Sequence, residues 1–203
     1  MPSKNIVKLY APHQYYHVYN RGVAKQTIFH DAQDKKKFLS ILARHLDPEN
    51  AERRYDGVAY EKFLNLELLS YCLLGNHFHL FFYLGDDDEA LKKCMQQVCT
   101  AYAMYFNKRY KRVGPVFQGV FKASTIHNEA YLLHITRYIH MNPRRYKTYY
   151  YSSLRYYLTH TPPPWLKPAR VTDLFDGDYL KFLEDYEGIR DTLEAVKQEL
   201  VSE

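Results

Sequence analysis

The sequence predicts an α+β fold, in which helices pack on one face of a largely antiparallel sheet. Segments with strand-like alternation and segments with helical spacing follow one another as strand, helix, strand, strand, helix, strand, helix. The two middle strands, 63–74 and 77–84, are separated only by Gly75 and Asn76, which predicts a hairpin. We expect a ferredoxin-like or RRM-like core that carries a C-terminal helical appendage.

The first half of the chain supplies one helix and three strands. Residues 14–22 alternate β-branched and aromatic side chains and end at a glycine, which predicts the first strand. Residues 31–46 have apolar positions at helical spacing, with Asp31 as the predicted N-cap. At the hairpin turn, Gly75 and Asn76 both tolerate positive φ, so we expect them to supply the reversal.

The second half begins with a long helix over 86–110, whose acidic start and basic end suit the helix dipole. A strand is predicted over 114–125. The next helix is predicted over 128–143, with Asn128 as its N-cap and its end near Pro143, because the residue before proline avoids the α region.

After residue 146 the sequence becomes rich in tyrosine and is then broken by prolines, before a last helical pattern over 178–201. We interpret 1–147 as a catalytic domain and 148–203 as an extension that packs on it.

Composition permits a nucleic-acid partner without requiring one. The 203 residues carry a net charge of +5 and include 21 tyrosines, whose rings suit base stacking as well as core packing. Two short basic clusters, 107–112 and 142–147, each contain a tyrosine. Such clusters can contact phosphates and stack on a base, although solvated surface patches have the same composition.

The remaining bulk features indicate a cytoplasmic protein without a membrane span. Cys72, Cys94 and Cys99 lack the spacing of a zinc site, so we expect free thiols in a reducing compartment. The first residues lack the apolar core of a signal peptide. The apolar stretch 68–85 is interrupted by two histidines and by the hairpin turn, which argues against a transmembrane helix.

Two histidines stand inside the apolar hairpin. An unpaired buried polar group costs about 1–3 kcal/mol, so His77 and His79 need partners. At positions i and i+2 of a strand they share one face, while Phe78 and Leu80 face the core. Two imidazoles aimed at one point begin a divalent-metal site, but two ligands are not enough.

The helix predicted over 128–143 offers a complementary set. Tyr138 and Asn142 lie one turn apart, so a phenol could attack a phosphodiester while an amide oxygen helps to hold a cation. The pKa of free tyrosine is near 10, so the cation would have to lower the barrier. From the spacing alone, an ordinary core stripe of Tyr131, Ile135 and Tyr138 is the preferred interpretation.

Five motifs, in sequence order along the chain, favour a catalytic role over the core stripe. GNHFHLFF resembles the paired-histidine motif of the HUH endonucleases, and YHVYNRG followed by IFHDAQDKKKFL resembles the start of single-tyrosine HUH transposases. GPVFQGVFKA, YLLHITRYIHMNPRR and YSSLRYYL are similar to the REP-associated tyrosine transposase branch. Together the matches extend over about residues 15–158.

The resemblance implies a metal-dependent single-stranded DNA endonuclease and strand transferase that recognises DNA hairpins. His77 and His79 would bind Mg²⁺ or Mn²⁺, with Asn142 as an amide-type third ligand. Tyr138 would be the nucleophile and would form a 5′-phosphotyrosine intermediate. The predicted DNA-contacting residues are Arg21, Lys122, Arg137, Arg144 and Arg145. Two positions depart from the family pattern: Gly75 replaces a proline, and Gly119 is followed by Val120 rather than by a basic residue.

The expected partner is single-stranded or hairpin DNA in a nucleoid-associated location. A monomer with its site in cis is preferred over a homodimer that pairs residues in trans. Two other functions stay open. One is a non-cleaving DNA- or RNA-binding module derived from a transposase. The other is a hydrolase that activates water, for which His134 or His140 would be the general base.

Overall fold

A computed structural model describes residues 9–127, 129–175 and 177–186. The predicted N-cap Asn128 and the part of the last helical pattern beyond residue 186 lie outside the described residues.

The centre of the fold is a four-stranded antiparallel sheet. Strands β1 (Gln14–Arg21), β2 (Leu66–Leu73), β3 (His77–Leu84) and β4 (Lys122–Ile126) lie in the order β2-β3-β1-β4. With a helix after β1 and another after β3, this is the ferredoxin-like arrangement. The predicted α+β class is confirmed.

In the described residues, six helices accompany the sheet. They are α1 (Ala32–Leu46), α2 (Ala90–Tyr110), α3 (Glu129–Met141), α4 (Leu154–Thr159), α5 (Ala169–Thr172) and α6 (Tyr179–Glu184), with short 3-10 turns at Val23–Lys25 and Tyr146–Thr148. The predicted cap of α1 is confirmed, because the Asp31 side chain accepts a hydrogen bond from the amide of Asp34.

The helices cover both faces of the sheet. On one face, Phe78, Leu80 and Phe82 of β3 form a core with apolar residues of α1 and α2. On the other, Phe81 packs with Leu132 of α3 and with apolar residues of the C-terminal segment. The sequence analysis expected the helices on one face of the sheet, with a C-terminal appendage. That detail is corrected, because α1 and α2 lie on one face and α3 lies on the opposite face with the C-terminal segment.

Two local expectations are corrected. Neither Gly75 nor Asn76 is among the positive-φ residues of the described chain. Their turn is held instead from outside, because the Gly75 carbonyl accepts hydrogen bonds from the amides of Ile28 and Phe29, both at 2.9 Å. The strand predicted over 114–125 is shorter, since most of that segment is a loop that precedes β4.

A buried polar cluster joins α3 to the C-terminal segment. His140 lies between the Tyr179 hydroxyl, 2.9 Å from Nδ1, and the Ser153 hydroxyl, 2.7 Å from Nε2. Ser153 Oγ in turn accepts from the amide of Tyr71 on β2 at 2.9 Å. Burial lowers the pKa of His140 to about 3, so this imidazole is neutral. The cluster fixes α3 against the sheet, while the domain boundary at 147/148 stays a prediction.

The cysteines are free thiols in the described structure, as expected. Burial raises the pKa of Cys72 and Cys94, which keeps both thiols protonated. Within the described ranges, no helix combines the length and the apolar character that crossing a membrane requires.

Candidate active site on the histidine face

Cross-strand pairing assembles one polar face of the sheet. His79 on β3 is paired with Tyr19 on β1, and Tyr19 is paired with Lys122 on β4. His77 is paired with Arg21 in the neighbouring row. Directly paired residues project to the same side of a sheet. We call the side of the sheet that carries His77, His79 and Tyr19 the histidine face. Two of the predicted DNA-contacting residues, Arg21 and Lys122, therefore lie on this face, each in a row with one of the two histidines.

His77 is held in one tautomer by its neighbour in the turn. Its Nδ1 lies 2.6 Å from the Asn76 Oδ1, and the Asn76 Nδ2 donates to the Lys25 carbonyl at 3.1 Å. That second bond fixes which end of the amide faces the imidazole, so Nδ1 of His77 must carry the proton. In the neutral imidazole, the lone pair is then on Nε2.

His79 is only 6% exposed and has neighbours at both ring nitrogens. Its Nδ1 lies 2.9 Å from Nε2 of His17, and its Nε2 lies 3.5 Å from the amide nitrogen of Asn142. The His77 and His79 rings are perpendicular, with centroids 5.1 Å apart. The apolar hairpin thus tolerates its two imidazoles because each has a polar partner.

His17 is the site residue that the sequence interpretation missed. It lies on β1, and burial lowers its pKa to about 4, so it is neutral at neutral pH. The available signal was its position in YHVYNRG, two residues from Tyr19 and four from Arg21, and hence on the same strand face. The strand register that brings it to His79 is not visible in that motif.

Helix α3 brings Tyr138 to this cluster within the same chain. The Tyr138 ring meets His79 edge-on with centroids 5.4 Å apart, and meets His17 at 6.0 Å. Burial raises the pKa of Tyr138 to about 12, and a hydrogen bond to the Asn142 amide opposes this increase. The phenol is therefore protonated at neutral pH. The predicted convergence of His79, Tyr138 and Asn142 is present.

The donor set fits a divalent cation only if it includes an amide. No group of three His, Cys, Asp or Glu side chains among the described residues is placed to hold a metal. The remaining donors are the imidazoles of His77 and His79 and the amide of Asn142, which lies beside His79. Imidazole and amide oxygen are both accepted by Mn²⁺, while Mg²⁺ prefers oxygen. These three residues are the ones that could hold the cation.

The other predicted basic residues differ in their positions. Arg144 and Arg145 are exposed just after α3. Arg137 is 4% exposed, and its guanidinium stacks on Tyr186 at 3.5 Å and on Phe182 at 4.2 Å. Because these aromatic rings cover it, we withdraw Arg137 from the DNA-contacting set.

The two histidines considered as general bases lie elsewhere. His140 belongs to the buried cluster with Tyr179 and Ser153. His134 lies beside Arg137 and Tyr186 at the edge of the C-terminal segment. Their placement gives no support to a water-activating hydrolase.

A family model described as "Transposase IS200 like" matches residues 11–142, which extend from just before β1 to the end of α3. The chain belongs to the IS200-like transposase family. The matched range includes both histidines of β3, His17, Tyr138 and Asn142.

The fold of this IS200-like transposase is similar to that of a solved structure. A REP-associated tyrosine transposase bound to a REP hairpin superposes with a TM-score of 0.55, over 87% of this chain and 93% of the other, at 14% sequence identity. The similarity extends past residue 142, because it covers more of the chain than the family model does. A search of curated proteins found no match.

Proposed function

We propose that this IS200-like transposase is a divalent-metal-dependent endonuclease and strand transferase for single-stranded DNA, and that it recognises DNA hairpins. The observation that carries the proposal is the approach of Tyr138 to His79, with ring centroids 5.4 Å apart in one chain. A tyrosine placed against His79 and hydrogen-bonded to the Asn142 amide has the neighbours that a nucleophile for phosphodiester transfer would need.

The reaction would exchange one phosphodiester for another. The Tyr138 hydroxyl would attack the scissile phosphorus in line, forming an O–P bond as the bond to the 3′ oxygen breaks. The phenolic proton would be lost and the departing 3′ oxygen would gain one, which leaves a 5′-phosphotyrosine and a free 3′-OH. Since no high-energy bond is consumed, the step is reversible and requires no nucleotide fuel.

The raised pKa of Tyr138 explains why such a step needs a cation. At neutral pH the phenol is protonated and is a poor nucleophile. A bound Mg²⁺ or Mn²⁺ would supply Lewis-acid polarisation of the phosphodiester. His77, His79 and Asn142 would hold it, while the Asn142 amide would also orient the phenol through their hydrogen bond.

The same face offers a path for the DNA backbone. Arg21 and Lys122 lie on the histidine face in rows with His77 and His79, and both are partly exposed. Arg144 and Arg145 add exposed positive charge just beyond the nucleophile helix. Phosphate contacts of this kind position the strand, and the partly exposed ring of Tyr19, in the same row as His79 and Lys122, could stack on a base.

We further propose that one chain suffices for cleavage. Tyr138 of α3 meets His79 of β3 without a second chain, which supports a site in cis. A monomer is therefore the expected active species, with a homodimer as the alternative.

The test is a covalent-adduct assay. The purified chain is incubated with a library of end-labelled single-stranded hairpin DNAs and Mn²⁺, and denaturing gels detect protein that carries label. We expect an adduct that requires Mn²⁺ and disappears in Tyr138→Phe. Tyr131→Phe is the matched control, because Tyr131 lies on the same helix but is 57% exposed.

The outcomes separate the alternatives. An adduct that survives in Tyr138→Phe would show that another residue is the nucleophile. Salt-sensitive hairpin binding without any adduct, with or without metal, would identify the non-cleaving binding module instead.

A further inference from the structure

His17 has no role in the phosphoryl transfer described above, yet it is buried and in direct contact with His79. It is 8% exposed, and its ring stacks near Tyr19 and meets Tyr138 edge-on. Its Nε2 points at Nδ1 of His79 at 2.9 Å, a hydrogen-bond distance inside the sheet face. An ordinary core residue at this position would have an apolar side chain.

The contact repeats a pattern seen at His77. There, Nδ1 donates to the Asn76 amide oxygen, whose orientation is fixed by Lys25, and Nε2 keeps its lone pair. At His79, Nδ1 is again the nitrogen engaged by a neighbour, and Nε2 again faces outward, toward Asn142. Both histidines of the pair therefore have a polar partner on the nitrogen that points away from the site.

We propose that His17 is a positioning residue that accepts the Nδ1–H of His79, and so directs the Nε2 lone pair of His79 toward the Asn142 side of the site, where the proposed divalent cation would bind. The inference rests on the proposed metal-dependent function. A metal-ligating histidine almost always donates its other N–H to a fixed acceptor, which sets both its tautomer and its ring orientation. In this chain the acceptor is a second, buried imidazole.

The geometry separates this role from direct ligation. The Nε2 of His17 is in contact with Nδ1 of His79, and a lone pair that accepts this N–H cannot at the same time coordinate a cation. At the outward nitrogen of His79 the neighbouring side chain is Asn142, 3.5 Å away, rather than His17. His17 thus acts through His79.

Three variants test the role. His17→Leu removes the acceptor and keeps an apolar side chain. His17→Gln restores an acceptor, because the glutamine amide oxygen reaches about as far as Nε2 of histidine. Tyr15→Leu is the control for packing loss, since Tyr15 lies on the same strand face and contacts Phe81 and Tyr83 rather than His79.

Two readouts are taken from each protein. Nitrogen-15 NMR of the metal-free protein reports which ring nitrogen of His79 carries the proton. Titration with MnCl₂, followed by the EPR signal of free Mn²⁺, reports affinity. We expect His17→Leu to lose the fixed Nδ1–H form and to bind Mn²⁺ about 10- to 100-fold more weakly. His17→Gln and Tyr15→Leu should keep both properties.

The opposite results are equally clear. An unchanged His79 tautomer and Mn²⁺ affinity in His17→Leu would overturn the proposal. Loss of Mn²⁺ binding in both His17→Leu and His17→Gln, with the tautomer retained, would make His17 a ligand. If the wild-type protein binds no Mn²⁺ but His17 still sets the tautomer, the proposed metal-dependent function fails and the hydrogen-bonding role of His17 stands.

Discussion

The two faces of the sheet are built from the same strands but solve different problems. Beneath α1 and α2, β3 contributes Phe78, Leu80 and Phe82 to a continuous apolar core. On the opposite face the same strand contributes His77 and His79, which meet polar partners from β1, from the turn and from Asn142 just after α3. Burial of apolar side chains is enough to form the first face. The histidine face needs, in addition, a hydrogen-bond partner for each buried polar atom.

This difference predicts that stability and activity separate by face. Truncating a buried side chain on the apolar face should lower the free energy of unfolding and leave the chemistry of the folded fraction intact. Removing a polar side chain from the histidine face should abolish chemistry in a protein that is still folded, since these side chains contribute hydrogen bonds rather than apolar burial. Substitutions on the two faces test this separation.

The largest expected effect is on cleavage. His79→Ala should slow adduct formation by about 10³-fold, because a cation that stabilises a phosphoryl transition state contributes several kcal/mol. Single-turnover adduct formation with Mn²⁺ and labelled hairpin DNA measures the rate. His13→Ala is the control, since His13 is an exposed histidine just before β1. Cleavage by His79→Ala at the wild-type rate would remove the histidine pair from the mechanism.

The neighbouring phenylalanines of β3 compare the two faces directly. Phe81 and Phe82 are both fully buried, but Phe82 points into the core beneath α1 and α2, while Phe81 packs with α3 residues. Each Phe→Ala change should cost about 3–5 kcal/mol in the free energy of unfolding, measured by urea denaturation.

Only Phe81→Ala should also lower the adduct rate of the folded fraction, because Phe81 lies beneath the helix that carries Tyr138 and is paired with His17. Equal adduct rates in the two variants, at a temperature where both are folded, would show that the faces are not separable in this way.

Much of the fold could be predicted because it depends on local pattern. The alternation in 77–84 gave β3 with its bounds, and the spacing and cap of 31–46 gave α1 to within one residue. The strand expected over 114–125 was too long, because the chain there forms a loop whose Gln118 amide donates to the Arg21 carbonyl before β4 begins. A contact between residues 97 positions apart leaves no trace in a local pattern.

The residues of the candidate site divide in the same way, into those that a local motif identifies and those whose position depends on long-range contacts. The residues that converge at His79 could be named from their motifs, and His17 could not, because its role depends on the register between β1 and β3. Arg137 was assigned to DNA from its charge, but its position beneath Phe182 and Tyr186 depends on residues more than forty positions later in the chain. Non-local pairing decides which polar residues of a strand or helix reach the site.

A smaller effect concerns pH, through the polar cluster that anchors α3. His140 has its pKa lowered by burial to about 3, while in the unfolded chain it titrates near 6.5. Between these values the unfolded chain binds a proton that the folded chain does not. Stability should therefore fall as pH falls through this window, by about 1.4 kcal/mol per pH unit for this group.

Urea unfolding at pH 7 and at pH 4.5 measures the effect. His140→Gln should show a shallower loss than the wild type, with a residual part from His17, whose lowered pKa acts in the same direction. His160→Gln, at an exposed histidine, should retain the full wild-type slope. Parallel pH profiles for wild type and His140→Gln would show that His140 is not held neutral in the folded protein.

The smallest expected effect tests whether DNA crosses the histidine face. Lys122 lies in the same cross-strand row as His79, whereas Lys93 is an exposed lysine of α2 on the other side of the sheet. Binding of a fluorescent hairpin is measured by anisotropy at several salt concentrations, in a Tyr138→Phe background that prevents cleavage. Lys122→Ala should reduce the slope of log affinity against log salt by about 0.7, the value for one single-strand phosphate contact. Lys93→Ala should leave it unchanged, because α2 is separated from the bound strand by the apolar core. If Lys93→Ala changes the slope and Lys122→Ala does not, the nucleic acid lies on the helix-covered side, and the polar face would then need another explanation for its charges.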